Sequence, residues 1–270
     1  MSVKIKYRGR SGNNLIQYLA AKLFCEKHSL ELETPPICDG AFFTKGYNFG
    51  SPWGLEGNQG ANTSNKPEIT LTDENFLDFL NSPTQQIQEN SYIMYGFFQG
   101  KGVLPANCEK VRDYFKLTYD HQPRDHVFVA CRLGDMQNSA HMLPLEYYQT
   151  ALRRLKFTKG FITSDTLSHP NVISLQEEFG LVPYDNGDPM KKIDFAKNFK
   201  QIILSEGSFS FLMGFLTMGA RIICPGRPTR WSSIHKHMSH LKWEGLDIDW
   251  APHCVGPNNE LLCGELAIKK

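Results

Sequence analysis

The hydrophobic pattern of the chain is clearest at residues 127–131 (VFVAC), an unbroken apolar run that turns polar at once. A run of this length suits a strand covered on both faces, as in a parallel sheet with helices above and below. The following residues, RLGD (132–135), would then lie at the carboxyl edge of the sheet, where open α/β sheets bind ligands. Arg132 offers a charged fork for phosphate oxygens, and Asp135 could hold it or meet a hydroxyl group. An ordinary strand end closed by a structural Arg–Asp pair is the alternative.

A second pattern of this kind opens the chain. Residues 3–7 alternate weakly as a strand, GRSGNN (9–14) forms a glycine turn, and apolar residues then recur at helical spacing from Leu15 to Phe24. Such a turn directs backbone N–H groups and a helix N-terminus at whatever lies above it. A tight structural turn is the alternative. The GxGxxG spacing is missing, so the turn does not match the dinucleotide fingerprint.

The stretch 201–225 is predicted to form a strand, a serine-containing turn, a helix and a second strand. Its helix, at 209–218, is apolar on all sides and therefore buried, and its N-terminus is predicted at SEGS (205–208). A buried helix whose first turn offers hydroxyls and N–H groups suits an anion. A Ser208 cap without a ligand explains the serine equally well.

The rest of the pattern alternates between short helices and short strands. Helices are predicted at 73–80, 108–115, 144–155, 173–179 and 191–199, and strands at 92–98 and 160–164. The segment 34–70 lacks periodicity and is rich in Gly, Asn, Pro and aromatic residues. We interpret it as an acceptor-side flap, although its rings could simply fix the loop to the core. A Pro-containing linker at 119–125 separates two predicted α/β domains, 1–120 and 121–270.

Composition narrows the possible functions. The 270 residues are 41% hydrophobic and carry a formal charge of +1, which argues against a broad nucleic-acid surface. The sequence contains no apolar run long enough to span a membrane, and we expect no signal peptide. The seven cysteines are odd in number and scattered, as expected for reduced thiols in a cytoplasmic protein.

Several motifs, in the same order along the chain, resemble those of the inverting fucosyltransferases, most closely the α-1,2-fucosyltransferases. GRSGNN (9–14) is similar to the family's glycine turn G-x-G-N-Q, and YGFFQ (95–99) to its G-Y-F-Q stretch. RLGD (132–135) is similar to the end of H-x-R-R-G-D, and FITSD (161–165) to F-x-x-S-D-D. ILSEGSFS (203–210) is similar to I-x-S-N-S-S-F-S. Ala130 and Leu133 replace the family's histidine and second arginine, and Glu206 replaces its asparagine.

The resemblance implies a GT-B-like α/β fold, with two Rossmann-like domains and a donor-binding cleft between them. It implies transfer of a sugar, L-fucose from GDP-fucose above all, to a glycan hydroxyl without a metal or other cofactor. Arg132 and Asp135 are the expected catalytic residues. The expected donor-binding residues are Arg10, Gly12, Asn13, Asn14, Ser164, Asp165, Ser205, Ser208, Phe209 and Ser210. The expected partners are a nucleotide sugar and an oligosaccharide.

Several assignments stay open. The general base could be Asp135, Asp39, His141 or Glu206, and Asp135 could instead orient Arg132; Asp39 and His141 are placed on the acceptor side. The departures at Ala130 and Leu133 leave room for another donor, such as UDP-xylose or a nucleotide-rhamnose, or for a non-catalytic sugar or nucleotide binder. Metal dependence is the rival mechanism, because Asp247 and Asp249 form a D-x-D pattern. A zinc site would draw on His235, His237, His240, His253 and Cys254.

Overall fold

The computed structural model describes residues 1–9, 11–33, 68–99, 103–114, 119–133, 142–185, 187, 189–217, 220–226, 244–246, 254–255 and 261–262. The chain divides into two compact units, Met1–Leu117 and Thr118–Lys270. Each unit carries a parallel β-sheet accompanied by helices, so the α/β class predicted from the sequence is confirmed.

The first unit is built on a four-stranded sheet. Its strands are β1 (Ser2–Ile5), β2 (Glu31–Leu32), β3 (Glu68–Leu71) and β4 (Ser91–Met94). Its helices are α1 (Ser11–His28), α2 (Phe76–Asn81), α3 (Thr84–Ile87), α4 (Val103–Ala106) and α5 (Cys108–Tyr114). The sheet order is β2-β1-β4-β3, and all three pairings are parallel. The strand order reverses between β1 and β4, so the turns that leave these two strands meet at one edge.

The second unit is built on a six-stranded sheet. Its strands are β5 (His126–Cys131), β6 (Lys159–Ser164), β7 (Leu181–Pro183), β8 (Gln201–Ile203), β9 (Arg221–Pro225) and β10 (Glu244–Leu246). Its helices are α6 (Leu145–Arg153), α7 (Pro170–Phe179), α8 (Pro189–Ala196) and α9 (Ser208–Leu216). The order β10-β9-β8-β5-β6-β7 is fully parallel. Counted from β5, it is the 3-2-1-4-5-6 order of doubly wound folds. A separate antiparallel pair joins β11 (Cys254–Val255) and β12 (Leu261–Leu262).

Strand β5 is buried on both faces, which explains its unbroken apolar sequence. Because successive side chains of a strand point to opposite faces, Val127 and Val129 enter a core cluster with residues of α6 and α7. Phe128, on the other face, contacts Phe195 of α8 and Phe199 just beyond it. The same alternation places Arg132 on the side of the sheet that faces α8, and α8 in turn packs against α9.

Several details differ from the predictions. Helix α9 begins at Ser208 with Gly207 as its N-cap, so the alternative in which Ser208 caps the helix is wrong. Helix α1 begins at Ser11, inside the predicted glycine turn. The strands β2, β3, β7 and β10 were not predicted, because they are two to four residues long and depend on pairing with a neighbouring strand. The strand–helix–strand unit within 201–225 is confirmed as β8, α9 and β9.

Candidate functional site

The candidate site in the second unit lies where its strand order reverses. Strands β5 and β8 pair in parallel, from Val127 opposite Gln201 to Val129 opposite Ile203. In sequence, 69 residues separate the end of β5 from the start of β8, and these residues include β6 and β7. Their carboxyl ends therefore lie side by side. Open α/β sheets bind ligands in the crevice beyond such a pair of strand ends. Arg132 directly follows the end of β5 here, and the turn 204–207 directly follows the end of β8.

Arg132 lies directly against the turn that follows β8. A Cβ atom added to Gly207 would be 2.1 Å from Nη1 of Arg132, far inside van der Waals contact. Gly207 also has a φ of +103°, which L side chains rarely adopt. The backbone conformation and the close approach of the guanidinium thus both require glycine at this position. The two motifs that the sequence singled out, RLGD and SEGSFS, meet at this contact.

The start of α9 adds a second positive element beside this guanidinium. The first hydrogen bond of the helix runs from the Phe211 N–H to the Gly207 carbonyl at 3.0 Å. The N–H groups of residues 208–210 therefore point out of the helix end, where the helix dipole places a partial positive charge. Residues from Ser210 to Leu216 are buried, which places this helix in the interior of the unit. An arginine next to a helix N-terminus is an arrangement suited to phosphate.

The serines of this turn fall into two groups. Ser205 and Ser210 are buried, and their hydroxyl oxygens lie 2.9 Å apart in a mutual hydrogen bond. This bond links the turn to the first turn of α9 and holds its shape. Ser208 and Phe209 are partly exposed and lie where the helix N–H groups emerge. Of the predicted donor-binding residues here, Ser208 and Phe209 are thus the accessible ones, and Ser205 and Ser210 support them.

Asp165 joins the carboxyl end of β6 to that of β5. Its Oδ1 accepts a hydrogen bond of 2.8 Å from the Leu133 N–H, so it fixes the residue after Arg132. The Ser164 hydroxyl accepts from the Thr166 N–H at 3.0 Å and shapes the same turn. Asp165 remains exposed, whereas Ser164 is buried. Asp165 can therefore both position Arg132 and present a carboxylate to a ligand hydroxyl group.

Lys192 of α8 is a charged residue near this edge that was not predicted from the sequence. Its Nζ donates to the Ser164 carbonyl at 3.3 Å and lies 3.3 Å from a carboxylate oxygen of Asp185. The side chain is 14% exposed. A lysine inside a short helix resembles any solvated residue in a sequence, and only the packing of α8 against the sheet brings it here.

Buried ionisable groups lie behind the site. Glu206, one of the general-base candidates named from the sequence, is only 4% exposed. The pKa of the Cys224 thiol is raised to about 12, mainly by burial and to a smaller extent by the negative charge of Glu206. Burial also raises the pKa of the Cys131 thiol to about 12. Both thiols are free of disulfides and stay protonated at neutral pH, so they are packing residues and not nucleophiles.

In the first unit, the glycine turn and the YGFFQ segment meet at the edge where β1 and β4 end. Gly9 has a φ of +76°, and a Cβ there would lie 2.2 Å from Nδ2 of Asn13. Asn13 in turn accepts a hydrogen bond of 2.5 Å from the Gln99 amide through its Oδ1. The two motifs are therefore joined by a side-chain bond across 86 residues of sequence. Gln99 could have been selected from the sequence, because it closes a motif that the family resemblance already marked.

Asn14, in the same turn, has a buried side-chain oxygen without a hydrogen-bond donor among the described residues. It is 6% exposed, and its Oδ1 receives no hydrogen bond within the described part of the chain. An unsatisfied buried carbonyl of this kind costs about 1–3 kcal/mol, which a ligand donor would recover. Gly12, also predicted, is buried in the first turn of α1.

Some predicted residues lie outside the described residues. They are Arg10, Asp39, Asp135 and His141, the Asp247 and Asp249 pair, and the histidines 235, 237, 240 and 253. Within the residues that the structure does describe, no group of three or more His, Cys, Asp or Glu side chains could hold a metal ion. No helix among those residues is both long enough and apolar enough to cross a bilayer.

No protein-family model matches the chain, and no curated protein matches it. Among solved structures, NodZ alpha-1,6-fucosyltransferase soaked with GDP-fucose is similar at 13% identity with a TM-score of 0.46, over 82% of this chain and 93% of that one. Fucosyltransferase NodZ from Bradyrhizobium gives 13% identity and a TM-score of 0.44, over 82% and 94%. Similarity at this level of identity and superposition does not assign a function to this chain.

Proposed function

We propose that the protein is an inverting, metal-independent glycosyltransferase that moves L-fucose from GDP-fucose to a hydroxyl group of a glycan. The observation that carries the proposal is the contact of the Arg132 guanidinium with Gly207 at the start of α9, beyond the strand ends where the sheet order reverses. The resemblance of the ordered motifs to fucosyltransferases supports the choice of sugar and nucleotide.

The chemistry requires stabilisation of the leaving diphosphate. As the bond between the sugar and the diphosphate breaks, negative charge grows on the phosphate oxygens. Arg132 would donate to these oxygens, assisted by the N–H groups of Ser208 and Phe209. One such positioned donor contributes on the order of 3–4 kcal/mol to transition-state stabilisation. This set of donors carries positive charge without a metal ion, which is why we propose metal independence.

The remaining donor contacts follow from the positions of the polar turns. The exposed carboxylate of Asp165 would accept from a ribose hydroxyl group or from the base, with Ser164 shaping its turn. Arg10, Asn13 and Asn14 are assigned to the sugar and phosphate side of the donor by resemblance. The buried Oδ1 of Asn14 supports this assignment, since a sugar hydroxyl could donate to it.

Inversion requires a base that removes the proton of the attacking acceptor hydroxyl. Asp135 is our choice, because it follows Arg132 by three residues, and its alternative role is to orient that arginine. Asp39 and His141 are the acceptor-side candidates. Glu206 is the least suitable, because a carboxylate that is 4% exposed is poorly placed to meet an acceptor.

A second candidate function is a non-catalytic binder of nucleotide or sugar, or a transferase that uses another donor, such as UDP-xylose or a nucleotide-rhamnose. The observation that favours it is the burial of the two positions at which the chain departs from the family. Ala130 is 3% exposed, and Leu133 is 0% exposed within the core cluster of the second unit. Neither position can supply a charged or hydrogen-bonding side chain to a donor.

Purified protein incubated with GDP-fucose tests the proposal. We expect release of GDP by slow hydrolysis, faster release when a suitable glycan is added, and the same rates in EDTA. A parallel thermal-shift screen of GDP, UDP and dTDP sugars identifies the donor, because a ligand of the folded state raises the melting temperature. Tight binding without release of nucleotide would favour the non-catalytic binder, and absence of binding to every nucleotide sugar would refute both.

A further inference from the structure

Arg8 of the first unit lies against two aromatic rings at the carboxyl edge of the sheet. Its guanidinium carbon is 4.7 Å from the centroid of the Tyr95 ring and 5.3 Å from that of the Phe97 ring. Arg8 follows β1 and the rings follow β4, the two strands between which the order of this sheet reverses. We call these three side chains the Arg8 platform. Arg8 is exposed and Tyr95 is 45% exposed, so the platform is open to a ligand.

The backbone of Arg8 is fixed by Gln17 of α1. The Arg8 N–H donates to Oε1 of Gln17 at 2.9 Å, and Nε2 of Gln17 donates to the Arg8 carbonyl at 2.7 Å. Gln17 is fully buried, so both of these bonds are shielded from water. A buried side chain that bonds both backbone groups of one exposed residue sets the position of that residue.

The aromatic side of the platform is fixed in the same way by Asp73. The two carboxylate oxygens of Asp73 accept from the Phe97 N–H at 2.9 Å and from the Phe98 N–H at 2.5 Å. A Cβ at Gly96 would lie 2.8 Å from the same carboxylate, so glycine permits this close approach. Phe98 has a φ of +52°, which is uncommon for a residue other than glycine. Strained backbone held by side-chain bonds is typical of ligand sites.

A comparison with another surface pair shows what is unusual in the Arg8 platform. In the second unit, the guanidinium carbon of Arg153 lies 5.9 Å from the Phe179 ring, and the same side chain is bonded to the carboxylate of Glu178. Among the described residues, the partners of the Arg8 guanidinium are the two rings. Its planar set of N–H donors is therefore available to an acceptor such as a hydroxyl oxygen.

We propose that the Arg8 platform binds a pyranose ring of the glycan acceptor, which rests on the transferase function proposed above. The C–H groups on one face of a pyranose form an apolar surface that can stack on the Tyr95 ring, while neighbouring hydroxyl oxygens accept from Arg8. The charged diphosphate of the donor is assigned to Arg132 and α9. A stacking surface with a hydrogen-bonding rim suits the neutral partner of the reaction.

The test measures binding of simple sugars directly, without requiring transfer. Methyl β-galactoside, methyl β-glucoside and methyl β-glucuronide are titrated into the wild-type protein and observed by saturation-transfer NMR. We expect at least one to bind, Tyr95→Ala to weaken it about tenfold, and Tyr95→Phe to retain most of the affinity because the stacking ring remains. Ile173→Ala, at a similarly exposed apolar side chain of the second unit, serves as the matched control. Circular dichroism and the melting temperature establish that each variant is folded.

The outcomes separate this proposal from the proposed function. The platform assignment is wrong if no glycoside binds the wild type, or if a glycoside binds folded Tyr95→Ala as tightly as the wild type. Either result counts against the platform even if the protein turns over GDP-fucose. If glycoside binding depends on the Tyr95 ring but the wild type releases no GDP from GDP-fucose, the sugar site stands and the transferase proposal fails. Where transfer is measured, the KM for the acceptor is expected to rise about tenfold in Tyr95→Ala. Arg8→Met, which keeps an unbranched stem but removes the guanidinium and its donors, is expected to weaken binding as well.

Discussion

Gly207→Ala is the substitution that most specifically disturbs the proposed diphosphate site. The added methyl group would lie 2.1 Å from Nη1 of Arg132, so the guanidinium must move away from the start of α9. Because the end of an arginine side chain is flexible, this movement costs little stability. The backbone cost is separate: a φ of +103° is a conformation that side-chain-bearing residues rarely adopt, at roughly 1–3 kcal/mol.

The two costs predict two different measurements. The free energy of unfolding in urea should fall by roughly 1–3 kcal/mol, which a domain of ordinary stability tolerates. Turnover of GDP-fucose should fall about 10²- to 10³-fold, the loss expected when one positioned donor to a developing charge is removed. The double variant Gly207→Ala with Arg132→Ala should lose little more turnover than Arg132→Ala alone, because both substitutions remove the same contact.

Gly180→Ala provides the matched control. Gly180 ends α7 with a φ of +65°, and no atom lies within 4 Å of the position that its Cβ would take. This variant should lose about 1 kcal/mol or somewhat more of stability through its left-handed backbone and keep normal turnover. Near-normal turnover in folded Gly207→Ala, or an equal loss in Gly180→Ala, would refute the argument that the Arg132 contact is catalytic.

Three further predictions follow from the same structure. Arg132→Ala should remain folded by circular dichroism and lose about 100-fold or more in turnover; a variant with near-normal turnover would remove Arg132 from the mechanism. Dialysis against EDTA should leave the release of GDP unchanged, and a loss restored by Mg²⁺ or Mn²⁺ would contradict metal independence. Burial lowers the pKa of His28 below its usual 6.5, so the unfolded chain takes up the proton first as pH falls. Stability should therefore be full above pH 6.5 and decline below it, by at most about 1.4 kcal/mol per pH unit for this one proton. Urea titrations of wild type and His28→Gln at pH 7.5 and 5.5 should show a smaller decline in the variant, and equal declines would exclude His28.

The sequence predicted the parts of the fold that leave a strong local signal. Strand β5 is an unbroken apolar run, and the unit of β8, α9 and β9 combines two buried strands with a wholly apolar helix. Both are recognisable because burial on all sides leaves little room for polar residues. The short strands β3 and β7 leave no such signal, since they are four and three residues long and are stabilised by pairing with β4 and β6.

The same reasoning explains which site residues the sequence missed. Arg132 and Ser208 could be predicted because each follows a recognisable strand. Gln17 and Asp73 could not, because their role is to bond the backbone of residues 9 and 24 positions away, and such bonds form only once the sheet has assembled. Glu206 was among the general-base candidates named from the sequence, but its burial could not be predicted, because it depends on the packing around the turn before α9.

The central claim is that Arg132 and the start of α9 hold the diphosphate of the nucleotide. The most direct test is calorimetric measurement of GDP and GMP affinity in the wild type and in Arg132→Ala. We expect the wild type to bind GDP at least tenfold more tightly than GMP, because a charge-assisted bond to the additional phosphate contributes about 1.5–3 kcal/mol. In Arg132→Ala this preference should largely disappear while GMP affinity changes little. A variant that keeps the full preference for GDP, or a wild type that binds neither nucleotide, would contradict the claim.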